Sequence, residues 1–274
     1  MSVNIDSQYQ NLPRKHLELE HLYGDNVHII SSPVLMTALA RVCSEEIRQP
    51  ETNRMFAELY TDLLKVMANA QFPRTISAVQ TRMRELTDQG VYHGETLDRK
   101  TKVAIAAVAR AGVLPAHILF DRLNLLLDPA GVRIDYFFVA RTTDDEDHVN
   151  GAEVSCHKIG GPIDDAILVL PDPMGATGSS MIQTLDTYKQ AKSGTPTKKI
   201  AMHLIVTPEY LAAMREQHPD VIIYAIRLDR GLSSPEVLAT IPGTHWDKER
   251  GLTDNQYIVP GGGGIGEVMT NSWV

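Results

Sequence analysis

Cysteine is nearly missing from this chain. Of 274 residues only Cys43 and Cys156 are cysteines, and no C-x-x-C pair occurs. That is too few for a disulfide framework and fits two reduced thiols in a cytosolic protein; nothing requires a bridge between them. Long apolar runs are missing as well. Residues 103–120 come nearest to the roughly 18 that a membrane span needs, and Arg110, Gly112 and Pro115 break them. There is no excess of positive charge. A net charge of −8 argues against nonspecific binding to nucleic acid or to a membrane. The polar, mixed-charge N-terminus is not a signal peptide. No repeat or low-complexity segment appears apart from one glycine run, 261–264. What remains is an ordinary globular composition, 43% hydrophobic and 22% charged, enough for one large or two ordinary domains.

The most informative stretch is 161–190. Residues 166–170 are an unbroken apolar run, short enough for a strand buried on both faces. Pro171 should end its pairing. Asp172-Pro173-Met174 follows, then the small-residue run Gly175-Ala176-Thr177-Gly178-Ser179-Ser180. Met181, Leu185 and Tyr188 then share one helical face. The reading is strand, tight loop, helix start. Such a loop aims unpaired backbone N–H groups and the positive end of a helix at one spot, where a phosphate fits. Thr177, Ser179 and Ser180 add hydroxyl donors, and Asp172 stands at the strand end beside them. No lysine follows the glycine, so this is not a P-loop, and it is not a G-x-G-x-x-G fingerprint.

The rest of the chain alternates helix and strand, which predicts an α/β fold with a mostly parallel sheet. A short helix is expected over 16–23 and an edge strand over 27–30. Ser32-Pro33 opens a helix carrying Leu35, Leu39, Val42 and Ile47 that stops at Pro50. A second helix covers 52–70, and 76–86 reads as partly helical. Residues 103–108 make a second central strand, which ends in Ala109-Arg110-Ala111-Gly112. A cation at such a tip lies where open α/β sheets bind ligands, and a guanidinium fork matches diphosphate oxygens. A helix over 115–127 and a strand over 135–140 come next, the strand again ending in an arginine, Arg141. Asp144 to Asp147 reads as a solvated acidic loop, and 148–158 as a hairpin or lid. Strands at 199–206 and 221–228 flank a helix at 209–217. The Gly-, Pro- and Ser-containing stretch 229–252 reads as a surface insertion, with Trp246 in a small core of its own.

The run from Asp172 to Ser180 resembles the ribose-phosphate loop of type I phosphoribosyltransferases, and its Asp-Pro-Met opening is similar to that of uracil phosphoribosyltransferases. Tyr257-Ile258-Val259-Pro260-Gly261, followed by glycines 262–264 and 266, resembles the same family's C-terminal base-binding segment. The resemblance implies a type I phosphoribosyltransferase-like sheet flanked by helices, with a small hood and arm. Residues 1–26 become an extension and 27–274 a single domain. Within that domain it implies an arm at 71–100, a lid at 142–160, an insertion at 229–252 and a hood at 253–274. The implied reaction moves ribose 5-phosphate from phosphoribosyl pyrophosphate to uracil.

By resemblance, Asp172 holds the ribose hydroxyls. Met174, Gly175, Ala176, Thr177, Gly178, Ser179 and Ser180 form the phosphate loop. Arg110 and Arg141, with Ala111 and Gly112, hold the diphosphate, and Mg²⁺ bridges it. The backbone of Ile258 and Gly263, with Gly264, reads the base, which Tyr257 and Ile265 frame. No residue is assigned as a metal ligand. A cytoplasmic homodimer or larger oligomer is implied, with small-molecule substrates and neither nucleic acid nor membrane as partner. The sequence departs from the family at Ala109, in place of Leu, and at Gly264, Glu267 and Val268, where the family has Asp, Asp and Arg. A nucleotide-binding paralogue without turnover and a phosphoribosyltransferase for another base are the competing readings. An RNA-binding regulator is disfavoured by the net charge.

Overall fold

The structure is a computed structural model; it describes residues 18–143 and 149–272, with the backbone alone at 141–143 and 149–152. Seven strands form the main path of the sheet: β1 (Val27–Ile29), β4 (Lys102–Ala109), β5 (Val132–Thr143), β6 (Val149–Lys158), β7 (Ala166–Pro171), β9 (Lys198–Val206) and β10 (Val221–Leu228). Their order is β1-β10-β9-β7-β4-β5-β6, and a two-residue β8 (Met174–Gly175) adds to β9. Every pair is parallel except β5 with β6. The mostly parallel sheet flanked by helices is the one the sequence predicts.

The unbroken apolar runs follow from this position. On β4, Val103, Ile105 and Ala107 face one layer of helices, while Ala104 and Ala106 face the other. On β7, Ile167 and Val169 divide from Leu168 and Leu170 in the same way. Strands with helices on both faces have no polar side to show. The first layer holds α1 (Pro33–Val42), α2 (Glu51–Gln71) and α3 (Val113–Leu126), with the short C-terminal α7 (Ile265–Thr270). Phe56, Leu59, Leu63 and Met67 of α2 are fully buried there, each worth about 1.5–3 kcal/mol. The second layer is α4 (Ser179–Gln190) and α5 (Pro208–Gln217). From β4 the chain crosses through α3 to β5; from β7 it crosses through α4 to β9, on the opposite face and in the opposite direction. The carboxyl ends of β4 and β7 therefore flank a topological switch point, where open α/β sheets form their crevice.

Several expectations need correction. The first helix ends at Val42 rather than at Pro50; Ile47 is buried from the following loop, and Pro50 caps α2. Residues 18–23 are not helical, and Leu19 N donates to Ile29 O; 16 and 17 lie outside the described residues. The arm is a hairpin, β2 (Arg74–Gln80) against β3 (Val91–Leu97), with only a 3-10 turn at Arg82–Glu85. Thr75, Ile76 and Val79 suit a pleated strand better than a helix, and Ser77 and Thr96 hydroxyls meet across it at 2.6 Å. Pro171, in register with Met202, is the last residue of β7, so the pairing ends there as expected. Trp246 does not sit in a core of its own. Its Nε1 donates to Pro208 O at 2.9 Å, and its ring meets Tyr23 edge-on at 4.9 Å. The insertion, with its short α6 (Pro235–Leu238), is thereby fastened to α5 and to the N-terminal segment. Residues Asp144 to His148 lie outside the described residues, while β6 confirms a strand within the expected hairpin. Among the described residues, no helix is long and apolar enough to cross a membrane.

Candidate active site

The crevice at the switch point holds a cavity of about 640 Å³, well within the range of small-molecule sites. Its floor is the loop after β7. Two carbonyls of that loop are turned away from the cavity and held by one residue: Thr207 N donates to Gly175 O at 3.0 Å, and Thr207 Oγ1 to Ala176 O at 2.7 Å. The N–H groups of Thr177, Gly178 and Ser180 have no acceptor among the described residues. Gly178 caps α4 with φ 86°, a left-handed value that glycine adopts without a Cβ clash. Thr177 and Ser179 hydroxyls lie 3.0 Å apart beside these donors. The result is an anion cradle at a helix N-terminus. Asp172 stands at its edge, with Oδ1 accepting from Met174 N at 3.0 Å.

A buried polar pair lies beneath the floor. His203 on β9 is 1% exposed. Its Nδ1 meets Asp172 O at 2.6 Å, and its Nε2 meets Tyr210 Oη at 2.6 Å. A carbonyl can only accept, so Nδ1 carries the proton and Nε2 accepts from the tyrosine. Burial pulls the His203 pKa down to about 4, against a weaker opposing effect of the Asp172 carbonyl. Burial, and then the Asp172 charge, pushes the Tyr210 phenol well up, so it stays a donor. A Cβ on Gly175 would come within 3.1 Å of the Tyr210 ring. The pair thus supports both the backbone that carries Asp172 and the start of the cradle.

The wall on the β4 side is Ala109-Arg110-Ala111, with a cis peptide between Ala109 and Arg110. Arg110 Nη2 donates to Glu267 Oε1 of α7 at 3.1 Å, and Nη1 donates to Ser272 O at 3.1 Å. The opposite wall is the hood, held by charged anchors outside the cavity. Asp229 Oδ2 accepts from Gly261 N at 2.8 Å, and Arg227 Nη2 donates to Gly261 O at 2.9 Å. Arg227 also grips Asp229 through two bonds, at 2.6 and 2.7 Å. Glu209 accepts from Gly251 N and Leu252 N, at 2.9 and 3.2 Å. In the hood itself Gly263 O accepts from Ile265 N at 3.0 Å, while the N–H groups of Gly263 and Gly264 have no acceptor among the described residues.

The cavity brings together most of the residues singled out from the sequence: Asp172, Met174, Ala176, Thr177, Gly178, Ser179 and Ser180 on the floor, Arg110 and Ala111 on one wall, and Tyr257, Ile258, Gly263, Gly264 and Ile265 on the other. Gly175 and Gly112 stand behind it. Gly175 packs on Tyr210, and Gly112 begins α3 with its N–H on Val108 O. Arg141 is on β5, three residues past Phe138, the partner of Ala109; its side chain is outside the described residues. Sequence reasoning missed His203, Tyr210 and Gln256, and gave Glu267 no role, although all four line the cavity. A lone histidine inside the apolar run of β9 was the available signal for the first. No group of three or more His, Cys, Asp or Glu suited to a metal ion occurs among the described residues.

Comparison with known proteins agrees with this geometry. Residues 29–245 match the family model described as uracil phosphoribosyltransferase. The match ends before the hood. A uracil phosphoribosyltransferase of Polaromonas naphthalenivorans (strain CJ2) is 28% identical over 208 residues, covering 76% of this chain and 90% of that protein. The AQ2163 protein from Aquifex aeolicus has a similar structure, with TM-score 0.65 and 19% identity, covering 90% of this chain and 99% of that one. At that identity the likeness speaks for the fold alone.

Proposed function

The chain belongs to the uracil phosphoribosyltransferase family, and on that footing we propose that it transfers ribose 5-phosphate from phosphoribosyl pyrophosphate to uracil, giving UMP and diphosphate. One observation supports the reading above all. Residues 177, 178 and 180 at the start of α4 and glycines 263 and 264 line one cavity, and their N–H groups have no acceptor among the described residues. The first suits a 5-phosphate, and the second suits the carbonyl edge of a flat base. Uracil offers acceptors there, whereas the cytosine amino group would meet these donors with another donor.

In this reading the C1′–O bond to diphosphate breaks as the C1′–N1 bond to uracil forms, and the N1 proton passes to water. The transition state is oxocarbenium-like, so holding the sugar and the leaving diphosphate in place supplies most of the rate. Thr177, Ser179, Ser180 and the backbone of 175–180 hold the phosphate. Asp172 takes the ribose hydroxyls, from a backbone made rigid by His203. Arg110 and Arg141 neutralise the diphosphate. The donor set, one or two carboxylates beside substrate phosphates, suits Mg²⁺, which characteristically binds that way. Asp172 is the protein group that would hold the ion, and the ion would supply charge neutralisation on the diphosphate.

Nucleotide binding without turnover is the second reading, favoured by Gly264 and by the engagement of Arg110 with Glu267. The test is UMP formation from uracil and phosphoribosyl pyrophosphate with Mg²⁺, beside Asp172→Asn. Product that falls at least 100-fold in the variant supports catalysis. Absence of product with uracil, cytosine and hypoxanthine alike would leave the second reading.

A further inference from the structure

Any anion that the protein itself brings to Arg110 competes with the substrate's diphosphate for it. In this chain that anion is Glu267. The α7 carboxylate lies 3.1 Å from Nη2, and the other branch of the guanidinium is held by Ser272 through its O at 3.1 Å and its Oγ at 3.3 Å. The end of α7 therefore closes onto the loop after β4.

A second observation explains how the carboxylate reaches that place. A Cβ on Gly264 would stand 2.2 Å from Glu267 Oε2 and 2.9 Å from its Cδ. The φ of Gly264 is −75°, which any residue adopts, so the backbone does not call for glycine here. A side chain there would instead make the flexible end of Glu267 shift from the place it now takes beside Arg110. The absent side chain at 264 and the Arg110–Glu267 pair are two sides of one arrangement.

We propose that Glu267 is a resident counter-anion that sets the affinity of the cleft for a diphosphate group, and that Gly264 is the space that lets it reach Arg110. The inference rests on the reading of Arg110 as a diphosphate ligand given above. Binding of the diphosphate then exchanges one anion for another on the same guanidinium. The pair is partly exposed, 40% at Arg110 and 24% at Glu267, so its competition is that of a surface ion pair, about two- to five-fold in affinity. A ligand without a diphosphate displaces nothing and feels no such competition.

The experiment is calorimetric titration of inorganic diphosphate, and separately of ribose 5-phosphate, into the wild-type protein, Glu267→Gln and Gly264→Ala. The first variant removes the counter-anion; the second pushes it off Arg110. Both should bind diphosphate about two- to five-fold more tightly, with ribose 5-phosphate affinity unchanged, and the double variant should gain no more than either alone. Ribose 5-phosphate binding also reports that each variant is folded. Weaker or unchanged diphosphate binding in Glu267→Gln, or a Gly264→Ala protein that behaves as wild type, overturns the proposal while leaving the phosphoribosyltransferase reading intact. Tighter binding of both ligands would mean a general charge effect and also overturns it. If all proteins bind ribose 5-phosphate but none binds diphosphate, Arg110 is misassigned and the proposal falls with that assignment. Failure to bind either ligand would sink the proposed function as well.

Discussion

Acid should destabilise this protein through one buried histidine. His203 has both ring nitrogens engaged, one by the Asp172 carbonyl and one by the Tyr210 hydroxyl, and burial lowers its pKa from 6.5 to about 4. In the unfolded chain it titrates near 6.5. Between those two values the unfolded state binds the extra proton and the folded state does not, so stability falls as pH falls through that window. At pH 5 the unfolded side chain is almost wholly protonated and the folded one about one tenth so. Linkage then gives a loss of about 2 kcal/mol between pH 7.5 and pH 5 from this residue alone. His203→Gln provides the control. Its amide can donate to one partner and accept from the other, and it does not titrate. Urea unfolding of both proteins at pH 7.5, 6.5 and 5 is the assay. His21 and His218 are also lowered by burial and add to the slope in both proteins, so the difference between the curves isolates His203. Wild type should lose about 2 kcal/mol more than the variant over this range. Parallel losses would refute the reasoning and show that His203 is protonated as easily folded as unfolded.

Two further substitutions probe the floor and the frame of the site. Gly178→Ala places a Cβ on a residue with φ 86°; it should cost roughly 1–2 kcal/mol in thermal or urea unfolding and raise the KM for phosphoribosyl pyrophosphate more than it lowers kcat. Asp135 is fully buried and accepts from Arg133, from Gly160 N at 2.8 Å and from the Tyr188 hydroxyl at 2.8 Å. Asp135→Ala leaves those donors unpaired and should cost about 3–5 kcal/mol, read as a drop in the urea midpoint at unchanged slope. A loss below 1 kcal/mol would mean that water replaces the carboxylate.

Much of the site was legible because it is contiguous. The runs 103–108 and 166–170 announce strands covered on both faces, and each is followed at once by residues that line the cavity. The hairpin arm was not legible, since its alternation is weak and its side chains are mostly exposed. His203 and Tyr210 escaped notice for a different reason. They lie on two successive elements and meet only because Thr207 turns the chain sharply between them, from β9 into α5. Glu267 could be seen in the sequence, but its role could not. A carboxylate three residues beyond a glycine says nothing until the fold shows that the glycine lies beside it and that an arginine 157 residues earlier in the chain receives it.

The two sides of the cavity stand on different foundations. The floor grows directly from the central strands and inherits their rigidity. The opposite wall hangs from the segment after β10, which is braced in turn by the fully buried Glu249. That carboxylate takes Arg230 at 2.8 Å, Gly243 N at 2.9 Å and the hydroxyl of Tyr23. Tyr23 precedes the first strand of the sheet. A cut between it and β1 would leave the floor of the cavity standing while the opposite wall lost its far buttress. The segment around Tyr23 thereby acts as a distant brace for a cavity wall built near residues 256–267.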